Sequence, residues 1–231
     1  MLYCIIHQTR VDMSKYPLLN KSGWGALFLS FSCTLIALVN NYFWISFVFL
    51  LLTICLAFIF RDPHRKITSH PLAIVSPVDG IIKSISPVYS QYTNQTVIEI
   101  KIKNQPYGGF AIRNPIEGKV LCSSSKQING QTQFMNWVQT DEGDDILYYV
   151  VTYANIQLNY FVQPGERIGH GQRCGFSPFI TELCLQIPDN SQINLHIGSR
   201  VQAGTDIVAS LVHKDAARLI SDATLEAAQF S

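Results

Sequence analysis

The chain has 231 residues, 17 Lys and Arg against 16 Asp and Glu, and a formal net charge of +1. That balance excludes a strongly basic surface for nucleic acid and a strongly acidic one, so no nucleic-acid partner is expected. Charged residues are only 14%, against about 25% in an ordinary soluble domain, and mean hydropathy is +0.17, so part of the chain is expected outside water.

Residues 1–21 read as a cytoplasmic segment. Trp24 to Val39 and Tyr42 to Phe60 then contain no charge, with Asn40-Asn41 as a compact polar break. The second run has about the length of a membrane span, and Ser22 and Gly23 can extend the first. The expectation is a two-helix transmembrane hairpin over 22–60. The apolar stretch is too long, and starts too late, for a signal peptide, and it lacks a small-residue cleavage site. A buried hairpin of a soluble protein is the bland alternative, but nothing later in the chain looks able to cover both helices. Arg10, Lys15 and Lys21 precede the pair, and Arg61, Arg65 and Lys66 follow it. By the positive-inside tendency both termini are expected in the cytoplasm, at the inner membrane. The six cysteines show no CxxC pair, and free thiols in a reducing compartment are the simplest account.

Residues 61–231 are expected to form one cytoplasmic β-rich (α+β) domain. Strands are predicted at Gly80–Ile85, Thr96–Lys103, Gly118–Ser123, Phe134–Gln139, Ile146–Tyr153, Leu158–Val162, Leu183–Ile187 and Ile193–Ile197, separated by Gly, Pro, Asn and Asp turns. Lys214–Phe230 has the spacing of a terminal helix. An internal repeat stands out. Gly165-Glu166-Arg167-Ile168 with Gly171 matches Gly198-Ser199-Arg200-Val201 with Gly204, at a constant offset of 33. Each copy reads as strand, glycine turn and return strand. Biotinyl and lipoyl carrier domains use such paired barrel-sandwich turns, but here no lysine sits at a hairpin tip, which argues against a swinging arm.

Two motifs carry a resemblance. Phe60-Arg61-Asp62-Pro63-His64-Arg65 is a charged exit from the apolar run, and Ser76-Pro77-Val78-Asp79-Gly80 is a tight turn with one acid. With them go Pro106, Arg113, Pro115 and Gly118, then Gly171-x-Arg173-x-Gly175 leading into Leu185-Gln186-Ile187-Pro188. The stretch from Phe60 to Ala209 resembles the short, bacterial-type phosphatidylserine decarboxylases. The resemblance implies self-cleavage at a Gly-Ser bond, a pyruvoyl cofactor, and an acid and a histidine that assist processing. The acid position falls on Asp79, the histidine position on Phe110, the substrate-facing asparagine on Gly108, and the Gly-Ser pair on Ile180-Thr181. A phenyl ring moves no proton. A β-branched residue before the hydroxyl removes the backbone freedom of glycine, and a threonine would yield a ketobutyryl group.

The expectation is therefore a family homologue in which no cofactor forms, with a pyruvoyl group only if self-cleavage occurs. Such a protein would bind a membrane phospholipid, and either a second copy of itself or an active decarboxylase. Asp79, Phe110 and Thr181 are expected to converge. The alternative enzyme is an active decarboxylase that cleaves at Gly198-Ser199, beside His196. The 33-residue repeat instead makes Ser199 the counterpart of the turn residue Glu166, away from Asp79. A membrane-anchored carrier-like or scaffold domain is the third reading. His7, His64, His70, His170 and His213 have no partners at metal-ligand spacing, so no metal is expected. Arg61, Arg65 and Lys66 are read as topology anchors, and Asp79 taken alone as an ordinary Asp-Gly turn.

Overall fold

The computed structural model describes residues 23–63, 65–67, 70, 72–105, 108–128, 131–152, 159–177 and 180–212. The expected segment 1–21 and the expected helix Lys214–Phe230 lie outside the described residues. The chain forms two units, the first ending at Ala57 and the second starting at Phe58.

The first unit is a helical hairpin of α1 (Trp24–Val39) and α2 (Phe43–Ile59). Asn40 closes α1 through both its N–H and its side-chain amide, which donate to the Ile36 carbonyl. Asn41 takes a left-handed backbone (φ 59°), which asparagine tolerates better than most residues. The packing is inside-out. Ser30, Thr34 and Ser46 are buried, while Trp24, Phe28, Val39, Phe43 and Trp44 face outward. Ser30 and Thr53 share a hydroxyl–hydroxyl bond of 2.7 Å across the pair, and Ser46 donates to the Thr34 carbonyl at 3.3 Å.

The expected transmembrane hairpin is corrected by these helices. α1 has 16 residues and α2 has 17. At about 1.5 Å per residue each is roughly 24–26 Å long, short of the about 30 Å of a hydrocarbon core. No helix among the described residues is long and apolar enough to cross a membrane. The sequence pattern overstated the spans because Gly23 is only the N-cap of α1, and Tyr42 and Phe60 lie outside α2.

The second unit is β-rich. Its strands are β1 (Ala73–Val75), β2 (Gly80–Ser90), β3 (Gln95–Asn104), β4 (Ala111–Arg113), β5 (Gly118–Ile128), β6 (Gln131–Gln139), β7 (Asp145–Thr152), β8 (Asn159–Tyr160), β9 (Arg167–Ile168), β10 (Arg173–Phe176), β11 (Ile180–Pro188), β12 (Gln192–Ile193), β13 (Arg200–Val201) and β14 (Ile207–Ser210). One eight-stranded sheet has the order β13-β2-β3-β11-β7-β6-β5-β9, and two small sheets have the orders β1-β14-β12 and β4-β10-β8. Ile82, Ile100, Ile102, Tyr148, Leu183 and Leu185 are buried at its core. Each such side chain contributes about 1.5–3 kcal/mol of burial energy. β2 runs five residues beyond its predicted end at Ile85. Pro87 is tolerated there because β13 pairs only Gly80 and Ile81, leaving an edge at the proline.

A second repeat, not anticipated from the sequence, organises this unit. Ser76-Pro77-Val78-Asp79-Gly80 and Asn114-Pro115-Ile116-Glu117-Gly118 share the pattern Pro-apolar-acid-Gly at an offset of 38. Combined with the offset of 33 it relates two halves. β13 pairs the start of β2 as β9 pairs the start of β5. Bulges follow Ile82 and Val120. The Ile82 N–H donates to the Ser199 carbonyl, and the Val120 N–H to the Glu166 carbonyl. The halves meet at Gly171 and Gly204, whose N–H groups donate to Asn114 and Ser76. A Cβ on Gly171 would lie 3.4 Å from the Gly204 oxygen, and one on Gly204 3.5 Å from the Gly171 oxygen.

Gly204 has φ +73°, and a Cβ there would lie 2.7 Å from Arg113 Cδ; Gly143 has φ +82° with nothing within 4 Å. Alanine at either pays the left-handed penalty, about 1 kcal/mol. Gly204→Ala adds displacement of a buried arginine, so its total loss is expected to reach about 3 kcal/mol. Urea midpoints of the two variants, compared with the parent, check this ordering.

Candidate functional site

The turn before β2 positions Asp79. Ser76 Oγ donates to the Val78 carbonyl at 2.7 Å, the Arg113 N–H to Pro77, and the Gln105 N–H to the Asp79 carbonyl. The carboxylate is engaged at both oxygens. Oδ1 accepts the Ala203 N–H at 2.7 Å, and Oδ2 accepts Arg65 Nη2 at 2.8 Å. Arg65 Nη1 donates to Gln202 Oε1 at 2.7 Å, and Nη2 lies 3.4 Å from the Gly108 carbonyl. Arg65 was expected to be a topology anchor; its guanidinium is instead turned onto Asp79. A Cβ on Gly108 would lie 2.2 Å from Asp79 Cβ and 2.4 Å from Oδ2, so that position is closed to any side chain while Asp79 sits there.

A second, deeper ion cluster surrounds Asp62. Arg173 Nε is 2.6 Å from one carboxylate oxygen, and Arg113 Nη2 is 3.5 Å from the other. The side chains of Asp62, Arg113 and Arg173 are only 2%, 7% and 8% exposed. Burial pushes the Asp62 carboxyl up from its ordinary range, against the opposing pull of Arg173 and Arg113. Arg113 also donates to the Gly171 carbonyl, so the cluster ties the chain entering the domain to the junction of its halves.

Phe110 lies just before β4, buried with Ala111 and Phe176, with Ile59 and Phe60 packed against them. Its carbonyl accepts the Ser177 N–H, and Phe60 stacks on Phe176 at 5.6 Å. Thr181 lies on β11 at an irregularity in the β11–β7 register. Its hydroxyl donates to the Val151 carbonyl on β7 at 2.8 Å. The preceding Ile180 carbonyl accepts Asn104 Nδ2, from β3, at 3.2 Å. Asn104 also faces Gly80 in the β2–β3 ladder. It therefore connects the Asp79 turn to the Ile180–Thr181 peptide, a link the sequence pattern did not reveal. Asp79 and Thr181 thus sit at one end of the sheet with β3 between their strands, while Phe110 belongs to a separate apolar cluster.

Ser199 stands where Glu166 stands in the other half. Its hydroxyl accepts the His196 N–H at 3.4 Å, and its own N–H donates to the His196 carbonyl, while Asp79 is bonded to Arg65 and Ala203. The counterpart of Asp79 is Glu117, an exposed acid paired with Arg167 at 3.0 Å. Among the described residues no three His, Cys, Asp or Glu side chains are arranged to hold a metal ion. Cys174 is buried against Tyr148, and burial pushes its thiol up to about 12, which removes it as a nucleophile near neutral pH.

The pyruvoyl group implied by the resemblance does not fit these residues. Its formation needs a hydroxyl free to attack the preceding carbonyl and a base to take the proton. Here the hydroxyl is held on the β7 side and the carbonyl on the β3 side of one strand, and a phenyl ring stands at the histidine position.

Two outcomes follow. Phe110→His places a polar ring in an apolar cluster and is expected to cost about 2 kcal/mol or more, read by denaturant midpoint, without producing a cleaved chain on a gel. His170, whose Nε2 lies 2.9 Å from the Ala73 carbonyl, has its pKa lowered by burial. The unfolded chain then binds the proton first, so stability is lost as pH falls below about 6.5. His170→Gln should flatten that part of the profile of unfolding free energy against pH.

Comparison with known proteins places relatives beside this geometry. The sequence profile of the phosphatidylserine decarboxylase family matches residues 52–115. The chain is 26% identical over 212 residues to a phosphatidylserine decarboxylase proenzyme of Nitrosomonas eutropha, covering 84% of this chain and 95% of the relative. It is 26% identical over 208 residues to the proenzyme of Aromatoleum aromaticum, covering 85% and 97%. It is 25% identical over 210 residues to that of Burkholderia vietnamiensis, again covering 85% and 97%. No solved structure matches the chain.

Proposed function

We propose that the chain is a member of the phosphatidylserine decarboxylase family that serves phospholipid metabolism without processing itself. It remains one uncleaved polypeptide, carries no pyruvoyl group, and acts by binding a membrane phospholipid or by regulating an active decarboxylase. The reading rests on the Ile180–Thr181 peptide, whose hydroxyl and carbonyl are bonded to opposite neighbouring strands. Pyruvoyl chemistry depends on its carbonyl as an electron sink, so a chain that never forms it cannot decarboxylate by that route.

Lipid attachment is part of the proposal. In water, helices bury apolar residues and expose polar ones; α1 and α2 do the reverse. Every large apolar side chain they turn outward is stabilised by an apolar surrounding, while the inward hydroxyls bond to a facing hydroxyl or to a backbone carbonyl across the pair. The hairpin seats in the lipid layer without crossing it, at the cytoplasmic face of the inner membrane, with Arg61 and Lys66 toward anionic headgroups.

The intact mass of the purified full chain in detergent tests the proposal. A single species near 25.9 kDa that is unchanged by borohydride is expected. Two fragments divided before Thr181 or before Ser199, with a reducible carbonyl on the second, would overturn it in favour of an active decarboxylase.

A further inference from the structure

The 38-residue repeat gives the eight-stranded sheet two related edges, and only one of them is guarded. β13 pairs β2 at Gly80 and Ile81, and β9 pairs β5 at Gly118 and Lys119. Backbone bonds from the adjoining turns reach Ile82 and Val120 and stop there. Beyond them, no described residue pairs with the outer side of β2 from Lys83 to Ser90, or of β5 from Leu121 to Ile128. Such an edge presents a row of unpaired N–H and C=O groups, a template for another strand. Both edges carry the same bulge, after Ile82 and after Val120, so the bulge does not distinguish them.

The residues along the two edges do. β2 has an exposed lysine at the bulge, Lys83, and an exposed proline four residues later, Pro87. These residue types keep foreign strands off an edge, since an incoming strand would have to cover the charge and a proline offers it no N–H. At the offset of 38, β5 holds Leu121 and Ser125 instead. The registers agree with this equivalence: Ser84 and Pro87 stand opposite Lys101 and Ile98, and Cys122 and Ser125 opposite Trp137 and Phe134. Ile82 and Val120 turn both their N–H and their carbonyl to the outer side. The bulge then shifts the alternation by one residue, so the backbones of Ser123 and Ser125 face the open side, Ser125 with the N–H that Pro87 lacks. Leu121 is 38% exposed, and Val120 to Ser125 carry no charge.

We propose that the outer edge of β5, from Leu121 to Ile128, is a docking site for an extended, uncharged segment of another protein, which joins the sheet as a further antiparallel strand. The antiparallel sense continues that of β9, which already pairs the start of the same edge. Main-chain hydrogen bonds hold the segment, and Leu121 gives it an apolar contact. At about 3.4 Å per residue the free edge is roughly 27 Å long. Two folded domains meeting only along one such strand apiece fall short of the about 1,000 Å² that a stable interface needs. An extended segment also lays its alternate side chains over both faces of the sheet, which two rigid edges cannot do. The occupant is therefore a flexible segment of a partner and not a second copy of this chain.

The probe is a short fluorescein-labelled peptide of alternating valine and threonine, titrated with the full chain in detergent and read by fluorescence anisotropy. A control peptide carries proline at every second position. Saturable binding of the first peptide is expected, with the control at least about tenfold weaker because it lacks N–H groups for the edge. Leu121→Lys and Ser125→Pro place on β5 what β2 already carries, and each is expected to weaken binding by about tenfold or more. Neither should prevent folding, since β2 pairs β3 with both residue types in place. Denaturant midpoints check this, and Leu121→Lys alone carries the loss if Ser125→Pro unfolds. The reciprocal variant, Lys83→Leu with Pro87→Ser, opens the β2 edge and should raise the stoichiometry from one peptide per chain to two. The proposal is overturned by binding unchanged in the folded β5 variants, by equal binding of the two peptides, by a stoichiometry that stays at one in the reciprocal variant, or by no saturable binding. Sedimentation of the same samples covers the remaining occupant: a dimer that Leu121→Lys dissociates would assign the edge to a second copy and also overturn the proposal.

Discussion

The close approach of Gly171 and Gly204 is the constraint on which the β-rich unit depends. Two backbone turns meet with no side chain between them, each in a left-handed conformation, and each turn is bonded to the start of a Pro-apolar-acid-Gly segment. Arg113 lies against Gly204 and donates to Gly171, so the meeting point also carries the charge that neutralises Asp62. The registers of β13 on β2 and of β9 on β5 follow from where these turns are held. Asp79 is placed by the same device, because the residue before Gly204 supplies its N–H donor.

The residues that the resemblance puts at a site are each held by specific contacts. The acid persists but is held by an arginine from the entering chain. Phe110, at the position where the resemblance implies a histidine, lies in an apolar cluster that receives Phe60. At the position where the resemblance implies cleavage, the Thr181 hydroxyl and the Ile180 carbonyl are bonded to neighbouring strands. These contacts hold all three groups in fixed structure. A freed hydroxyl would gain little without an imidazole beside it.

Much of this was legible in the sequence, for reasons that can be traced. The 33-residue repeat is marked by glycines that the backbone requires at positive φ, which makes it visible without a structure. The 38-residue repeat escaped notice because its two acids differ and its flanking residues are polar in different ways. Ala111–Arg113 and Arg173–Phe176 were not predicted as strands, since such short buried runs show no alternation. The apolar runs were located correctly, but hydropathy counts residues and does not see where a helix stops, so the predicted spans came out longer than α1 and α2. The roles of Arg65 and Asn104 depend on contacts across 14 and 76 residues. No local pattern encodes such distances.

The strand order carries a consequence for how the domain is made. β1 pairs with β14, and β2 with β13, so the first strands of the domain to be synthesised are completed by nearly the last. The Gly171–Gly204 contact likewise joins the third quarter of the chain to its final portion. Folding is therefore dominated by non-local closure, and a nascent chain lacking the residues after about 200 holds two unfinished sheets with open edges. Such a chain exposes unpaired strand edges until the partner strands are added. Premature termination near the end of the message would release an aggregation-prone sheet rather than a shorter working domain.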